Sequence, residues 1–90
     1  MRIDLPNGDW IDLSDRLNYA QASRISGDRT PGTFVASLVL RWALRDVDGN
    51  PIPMPEVKAN GIPLEAIDLM PFDVFQQVAI AATDMLAAEP

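Results

Sequence analysis

Apolar and polar residues alternate at the start of the chain and predict a β-hairpin over residues 2–13. Between the two alternating runs lie residues 6–9 (PNGD), whose Asn-Gly pair accepts the positive φ angles of a tight hairpin turn. The alternation assigns one set of side chains to a common inner face: Ile3, Leu5, Ile11 and Leu13. The outer face then receives Arg2, Asp4, Trp10 and Asp12, which is an unusual place for the bulkiest side chain.

Residues 34–47 (FVASLVLRWALRDV) are apolar over most of their circumference if they form a helix. On helical spacing one narrow polar stripe remains, made of Ser37, Arg41, Arg45 and Asp48. A helix of this kind must be buried over most of its surface, and a small chain buries a lower fraction of its surface than a large one. We therefore predict a central helix that is covered by a partner, either a second copy or another protein.

The segments that flank this helix predict a second helix and two irregular stretches. Ser14 or Asp15 is a suitable cap for a helix over residues 15–25. Residues 26–33 are rich in turn formers and predict a mobile loop, after which Thr33 is expected to cap the helix over 34–47. Residues 48–51 (DGNP) end that helix, and the three prolines of residues 49–55 predict an extended, semi-rigid stretch.

The last third of the chain predicts two more helices, over residues 63–69 and 71–88, each beginning at a proline. The last helix has an apolar stripe: Phe75, Val78, Ala82, Met85 and Leu86. Opposite it lie Asp73, Gln76, Gln77 and Asp84, and Ile80 falls within this polar side. Together the elements predict one α+β domain over residues 1–90, with an N-terminal two-stranded β-hairpin packed on a mainly helical domain of about four helices.

Composition narrows the function classes. The net charge of −6 is uneven, at −1 over residues 1–50 and −5 over residues 51–90, so the basic footprint of a nucleic-acid-binding protein is missing. The longest uninterrupted apolar run of the central segment, residues 38–40, is far too short for a membrane span, and the first ten residues have no apolar run typical of a signal peptide. There is no cysteine, and therefore no disulfide or thiolate metal site, which is compatible with a cytoplasmic protein.

Catalytic and metal-binding chemistry has little support in the residues. With no histidine or cysteine, the usual bases and nucleophiles are missing, and the single lysine, Lys58, is interpreted as a surface charge. Four aspartates fall on or near the hairpin, at positions 4, 9, 12 and 15, and are interpreted mainly as solvated acids, with cation binding or catalysis as alternatives. The spacing in residues 46–50 (DVDGN) does not fit a calcium loop and predicts a turn. We expect no enzyme activity, no cofactor and no metal.

Four side chains are candidates for an interface: Trp10, Arg41, Arg45 and Ile80. Trp10 is either covered by a later helix or an exposed anchor for a partner. Arg41 and Arg45 either form a solvent-exposed stripe that pairs with Asp48 or with acids of the last helix, or face an acidic patch on a neighbouring copy, an arrangement that favours rings or arrays. Ile80 is either an isolated surface residue or a contact point. Trp42 and Phe75 are expected in the core, and Phe72 is a further candidate anchor.

Three segments, the opening LPNGDWIDLSDRL, the centre LVLRWALRDVDGNPIPMP and the ending IPLEAIDLMPFDVFQQVAIAATDML, together cover most of the chain. The order of their features resembles a group of small head–tail morphogenesis proteins of phages that infect actinobacteria. Many proteins of this group are described as tail assembly chaperones. The resemblance implies binding to tail tube or tape-measure protein during assembly, or retention on the head or connector as an accessory protein.

The sequence therefore predicts a non-enzymatic phage structural or morphogenesis protein that acts through protein–protein contacts with other phage structural proteins and with itself. It would be found in the virion, or in the bacterial host cytoplasm during assembly, with no nucleic-acid or membrane partner. A transient tail assembly chaperone is one alternative. A small acidic inhibitor or antitoxin-type protein is another, and would bind one basic partner tightly.

Overall fold

A computed structural model describes the chain from residue 1 to residue 87, and its side chains up to residue 85. Its elements are two strands, β1 (Arg2–Asp4) and β2 (Trp10–Leu13), two helices, α1 (Tyr19–Gly27) and α2 (Pro31–Leu38), a third strand, β3 (Val39–Ala43), and two helices, α3 (Leu64–Ile67) and α4 (Phe72–Ala87). The strands form an antiparallel sheet in the order β1-β2-β3. The predicted α+β class, with an N-terminal hairpin and four helices over the described residues, is confirmed.

The hairpin forms as its alternation predicts. Ile3 pairs with Ile11 across the two strands, and the amide of Leu5 donates to the carbonyl of Asp9 at 2.8 Å to close the turn. Gly8 has a φ of +89°, which other residues rarely adopt. The predicted inner face is turned to the core, since Leu5, Ile11 and Leu13 are buried and Ile3 packs against the core from a half-buried position.

The helix predicted over residues 34–47 is wrong. The chain forms helix α2 only as far as Leu38 and then continues directly as strand β3. The pairing of β2 with β3 shifts between Asp12 and Leu13, so that Arg41 faces Asp12 while Val39 faces Leu13, which leaves Leu40 as an extra residue in a β-bulge. Because of this bulge the buried residues of the strand are spaced by three instead of two, and that spacing imitates a helix.

The expectation that a partner must cover this segment loses its basis with this correction. Helix α2 contacts α1, α3 and α4, and four consecutive residues of it, 35–38, are buried. Strand β3 inserts Val39 and Trp42 into the same core, which also receives Leu44. Most of the apolar surface that the sequence assigned to one long helix is thus covered within the chain itself, whereas Leu40 and Val47 are exposed.

Helix α1 begins four residues later than predicted, at Tyr19 and not at residue 15. Asn18 is the N-cap: its side chain accepts from the amide of Gln21, and the side chain of Gln21 accepts from the amide of Asn18. Ser14 does not cap a helix: its hydroxyl donates to the carbonyl of Arg16, and its amide donates to the carbonyl of Leu38. The buried Gln21 side chain also donates to the Ser37 carbonyl at 2.9 Å, which ties α1 to α2.

The loop predicted over residues 26–33 is reduced to residues 28–30, because α1 runs to Gly27 and α2 begins at Pro31. Thr30 caps α2, and Thr33, the predicted cap, is buried in the first turn of the helix. Proline at the first helical position explains the early start, since its missing N–H needs no partner there.

The remaining predictions describe the rest of the chain well. The turn over residues 46–50 is present, but it ends a strand instead of a helix. Ile52 anchors the proline-rich stretch: it is buried, and its carbonyl accepts from the Trp42 indole at 3.1 Å. Helix α3 lies within the predicted 63–69, and α4 matches the predicted 71–88 as far as residue 87; residue 88 lies outside the described part.

The two faces of α4 also follow the prediction. Val74, Val78 and Ala82 are buried, and Phe75 and Met85 are half-buried against the core; Leu86 lies outside the described side chains. The polar side, which consists of Asp73, Gln76, Gln77 and Asp84, is exposed together with Ile80.

Candidate interaction surface

The sheet has one face turned away from the core, and it carries Trp10 at its centre. The register pairs Trp10 with Asp4 on one side and with Ala43 on the other, and pairs Asp12 with Arg2 and Arg41. Because residues paired across a sheet lie on the same face, these side chains form one surface. We call it the outer sheet face: Arg2, Asp4, Trp10, Asp12, Arg41 and Ala43.

Trp10 is half-buried on this face beneath two arginine side chains. The guanidinium carbon of Arg2 lies 4.7 Å from the indole centroid and that of Arg41 lies 5.7 Å from it, both within cation–π distance. The two arginines over the indole belong to the two edge strands of the sheet, β1 and β3. The ring is therefore held in place while one part of it stays open to solvent.

Each arginine on the outer sheet face also pairs with a carboxylate. The Arg2 Nε atom lies 2.9 Å from an oxygen of Asp4, and the Arg41 Nε atom lies 3.4 Å from an oxygen of Asp12. Asp12 is also 3.3 Å from the amino group of Met1, which in turn donates to the Leu13 carbonyl. The outer sheet face therefore presents an aromatic ring that is surrounded by ion pairs.

Arg45 follows β3 and binds the hairpin turn. Its Nε donates to Asp9 Oδ1 at 2.9 Å, its amide donates to Asp9 Oδ2 at 3.2 Å, and its Nη2 donates to the Asn7 carbonyl at 2.8 Å. The Asp9 side chain is only 7% exposed, so the contact is a partly buried ion pair. The predicted helical stripe of Arg41 and Arg45 is thus wrong, and both pair with acids of the hairpin instead of Asp48 or the acids of the last helix.

Ile80 is not part of the outer sheet face. It lies on α4, is 63% exposed, and lines a shallow cavity of about 290 Å³ together with Pro31, Ala79, Thr83 and Asp84. Phe72, on the same helix, is 73% exposed. The structure therefore brings Trp10 and Arg41 together, places Arg45 at the adjoining turn, and leaves Ile80 on a separate surface.

A further cleft of about 400 Å³ was missed by the sequence analysis. It is lined by Ser14, Arg16, Leu17, Asn18, Gln21, Val39, Leu40, Val57, Lys58, Ala59 and Gly61. These residues come from three separate parts of the chain, and several of them lie in segments that were assigned to the wrong elements. No local pattern in the sequence links them, so only the tertiary structure reveals this site.

The Asp28 carboxyl group, which lies away from these surfaces, has a lowered pKa. The hydroxyl of Thr33 donates to Asp28 at 2.7 Å and the amide of Thr30 donates to it at 3.1 Å, and these hydrogen bonds lower the pKa of Asp28. Asp28 thereby joins the end of α1 to the first turn of α2.

The carboxylates of the hairpin are engaged by cations of the chain itself: Asp4 by Arg2, Asp9 by Arg45, and Asp12 by Arg41. Over residues 1–87 there is no group of three or more side chains of the kinds that ligate metals close enough to hold an ion. In the same part of the chain, none of the helices has the length and apolar character needed to cross a membrane.

No family model matches the sequence, and neither a curated protein nor a solved structure is significantly similar to the chain.

Proposed function

We propose that this chain is a non-enzymatic structural or morphogenesis protein of a bacteriophage, which acts in head–tail assembly by binding other phage structural proteins and further copies of itself. The observation that carries the proposal is the exposed part of Trp10, which two arginines hold in position on the outer sheet face. Tryptophan and arginine are the side chains most enriched among residues that dominate binding energy at protein interfaces. A ring that is already ordered loses little conformational freedom on binding.

The assignment to phage assembly is supported by the resemblance of the opening LPNGDWIDLSDRL, which is the segment that contains Trp10. That opening segment supplies Trp10 and Asp12 of the outer sheet face, and the central segment that also carries the resemblance supplies Arg41 and Ala43. The proposed location is the virion, where the protein serves as a minor capsid or connector accessory subunit after assembly in the host cytoplasm.

The test is mass spectrometry of purified mature particles, with the tryptic peptide Ile3–Arg16 used to count copies. Many copies per particle support a structural subunit. Absence from particles, together with abundance in the lysate of infected cells, contradicts retention and supports a transient tail assembly chaperone. Absence from particles together with isolation in a tight complex with one basic host or phage protein supports an inhibitor instead.

The role of the outer sheet face is tested with phages that carry Trp10→Ala, and Tyr19→Ala is the matched control. Tyr19 is an aromatic residue that is 88% exposed and lies outside the sheet. Trp10→Ala should fold, as judged by circular dichroism, but should lower the number of copies per particle or the yield of particles. An unchanged copy number and yield, or equal losses in both variants, would contradict the proposed contact.

A further inference from the structure

The 400 Å³ cleft combines three exposed apolar side chains in one concave site. Leu17, Leu40 and Val57 are 41%, 44% and 38% exposed, and all three line it. They come from the chain after β2, from the bulge in β3 and from the turn before Gly61. Three half-exposed apolar side chains around one concavity can pack against an apolar side chain of another protein.

The charged residues that line this cleft are both basic, Arg16 and Lys58. Among the side chains that the structure describes, those of residues 1–85, neither makes an ion pair, whereas Arg2, Arg41 and Arg45 each bind a carboxylate. Within that part of the chain, two positive charges that are not in ion pairs therefore lie beside three apolar side chains, in a protein whose net charge is −6. A ligand that matches this site must offer carboxylates next to an apolar side chain. We call the site, defined by Arg16, Leu17, Leu40, Val57 and Lys58, the basic cleft.

The exposed side of α4 has the complementary chemistry. Phe72 and Ile80 are large apolar residues on its solvent side, and Asp73 and Asp84 are exposed beside them. Asp84 follows Ile80 by four residues, so the two side chains are neighbours one helical turn apart. The sequence of α4 contains no lysine or arginine, and over the described residues neither Asp73 nor Asp84 makes an ion pair.

We propose that the basic cleft of one molecule binds the exposed side of α4 of a second copy, with Ile80 against the three apolar side chains and Asp84 beside Lys58. Long-range repulsion between two chains of net charge −6 opposes random association, so a stable contact requires local complementarity of this kind. If the contact is made twice across a twofold axis it closes a dimer, and if it is made once and repeated head-to-tail it generates rings or open chains. The inference deepens one element of the proposed function, the binding of a second copy.

The experiment is sedimentation velocity of the purified chain over a range of concentrations, at low and at high salt. The wild type should associate with increasing concentration, and high salt should weaken the association. Lys58→Glu and Asp84→Lys should each raise the dissociation constant at least about tenfold, because each places like charges together. The double variant Lys58→Glu/Asp84→Lys restores the pair with reversed signs and should recover most of the loss.

Two matched controls separate this contact from an effect of net charge. Arg29→Glu and Asp48→Lys make the same changes of charge at exposed positions that do not line the basic cleft and do not lie on α4. Both should associate as the wild type does, apart from the small effect of net charge.

A wild type that stays monomeric up to about 1 mM, where even a weak contact would be seen, would overturn the inference. A double variant that associates no better than the single ones would overturn it too, as would controls that lose as much as the test variants. Circular dichroism of every variant ensures that a loss of association is not a loss of folding. Since the experiment contains no phage component, its failure is distinguishable from absence of the protein in particles.

Discussion

Replacement of Gly61 by alanine tests the closest approach between two parts of the backbone. Gly61 has a φ of +100°, and a Cβ atom built on it would lie 2.1 Å from the carbonyl oxygen of Ala36 and 2.7 Å from the Cα atom of Ser37. Both atoms belong to the backbone of α2, so no side-chain rotation can relieve the contact. The chain after Gly61 would have to move away from the helix.

The size of the effect follows from three contributions. A positive φ costs a residue with a Cβ atom about 1–2 kcal/mol, and forcing an extra methyl group into packed structure costs about 1–3 kcal/mol. The displacement also strains the hydrogen bond that the amide of Ile62 donates to the same Ala36 carbonyl at 3.0 Å, which is worth about 1 kcal/mol. We expect Gly61→Ala to lower the free energy of unfolding by about 3–6 kcal/mol, a large part of the total stability of a domain of this size.

Gly49→Ala is the matched control. Its φ is +86°, but a Cβ atom there would have no neighbour within 4 Å, so only the backbone term of about 1–2 kcal/mol applies. Urea unfolding, followed by tryptophan fluorescence and by circular dichroism, measures both losses from the shift of the midpoint at constant slope. Equal losses in the two variants would refute the reasoning, because they would show that Gly61 does not pack against α2 in this way.

Three further predictions concern the sheet and the junction between the first two helices. Asp9→Ala should lower the free energy of unfolding by about 2–3 kcal/mol because the Asp9 carboxylate accepts three hydrogen bonds. Asp4→Ala breaks an exposed ion pair and should lower it by at most about 1 kcal/mol, and similar losses for the two variants in urea unfolding would contradict this difference. In the same assay, Trp42→Ala should lower the free energy of unfolding by about 3–5 kcal/mol and Trp10→Ala should lower it by about 1–2 kcal/mol. A Trp10→Ala variant that does not fold would show that the Trp10 ring is not on the outer face. Hydrogen bonds from a threonine hydroxyl and an amide lower the pKa of Asp28, so the stability that its carboxylate contributes is complete above the ordinary aspartate pKa and is lost as the pH falls through the lowered value. Asp28→Asn should therefore be less stable than the wild type at neutral pH and equally stable in acid. A difference in stability that does not depend on pH would disprove the assignment.

The hairpin shows how far local pattern reaches. A period of two and an Asn-Gly turn are properties of neighbouring residues, and they predict the strands, the turn at Gly8 and the outer position of Trp10 without any long-range information. The last helix was predicted for the same reason, since its buried and exposed faces repeat with the helical period. What the sequence did not reveal is that Arg2 and Arg41, from different strands, meet over the same ring.

The central segment shows where local pattern misleads. The residues after Leu38 are apolar enough for a buried helix. In the structure they form strand β3, which pairs with β2 and extends the hairpin to a three-stranded sheet. A bulge at Leu40 turns Val39 and Trp42 to the same side at a spacing of three, which a helix would also produce. Propensity and periodicity cannot separate these alternatives, because the decision depends on a strand that lies about 30 residues earlier in the chain.

The candidate sites show the same difference between local features, which the sequence predicts, and contacts between distant residues, which it does not. By itself the sequence determined the α+β class, the hairpin, the acidic and partly apolar exposed side of α4, and the lack of histidine and cysteine, because each of these depends on composition or on residues close together in the chain. The tertiary structure alone decided that Asp9 binds Arg45, that Arg41 covers Trp10, and that Arg16 and Lys58 share one cleft. The two members of each pair are 31 to 42 residues apart in the sequence, and only the folding of the chain brings them together.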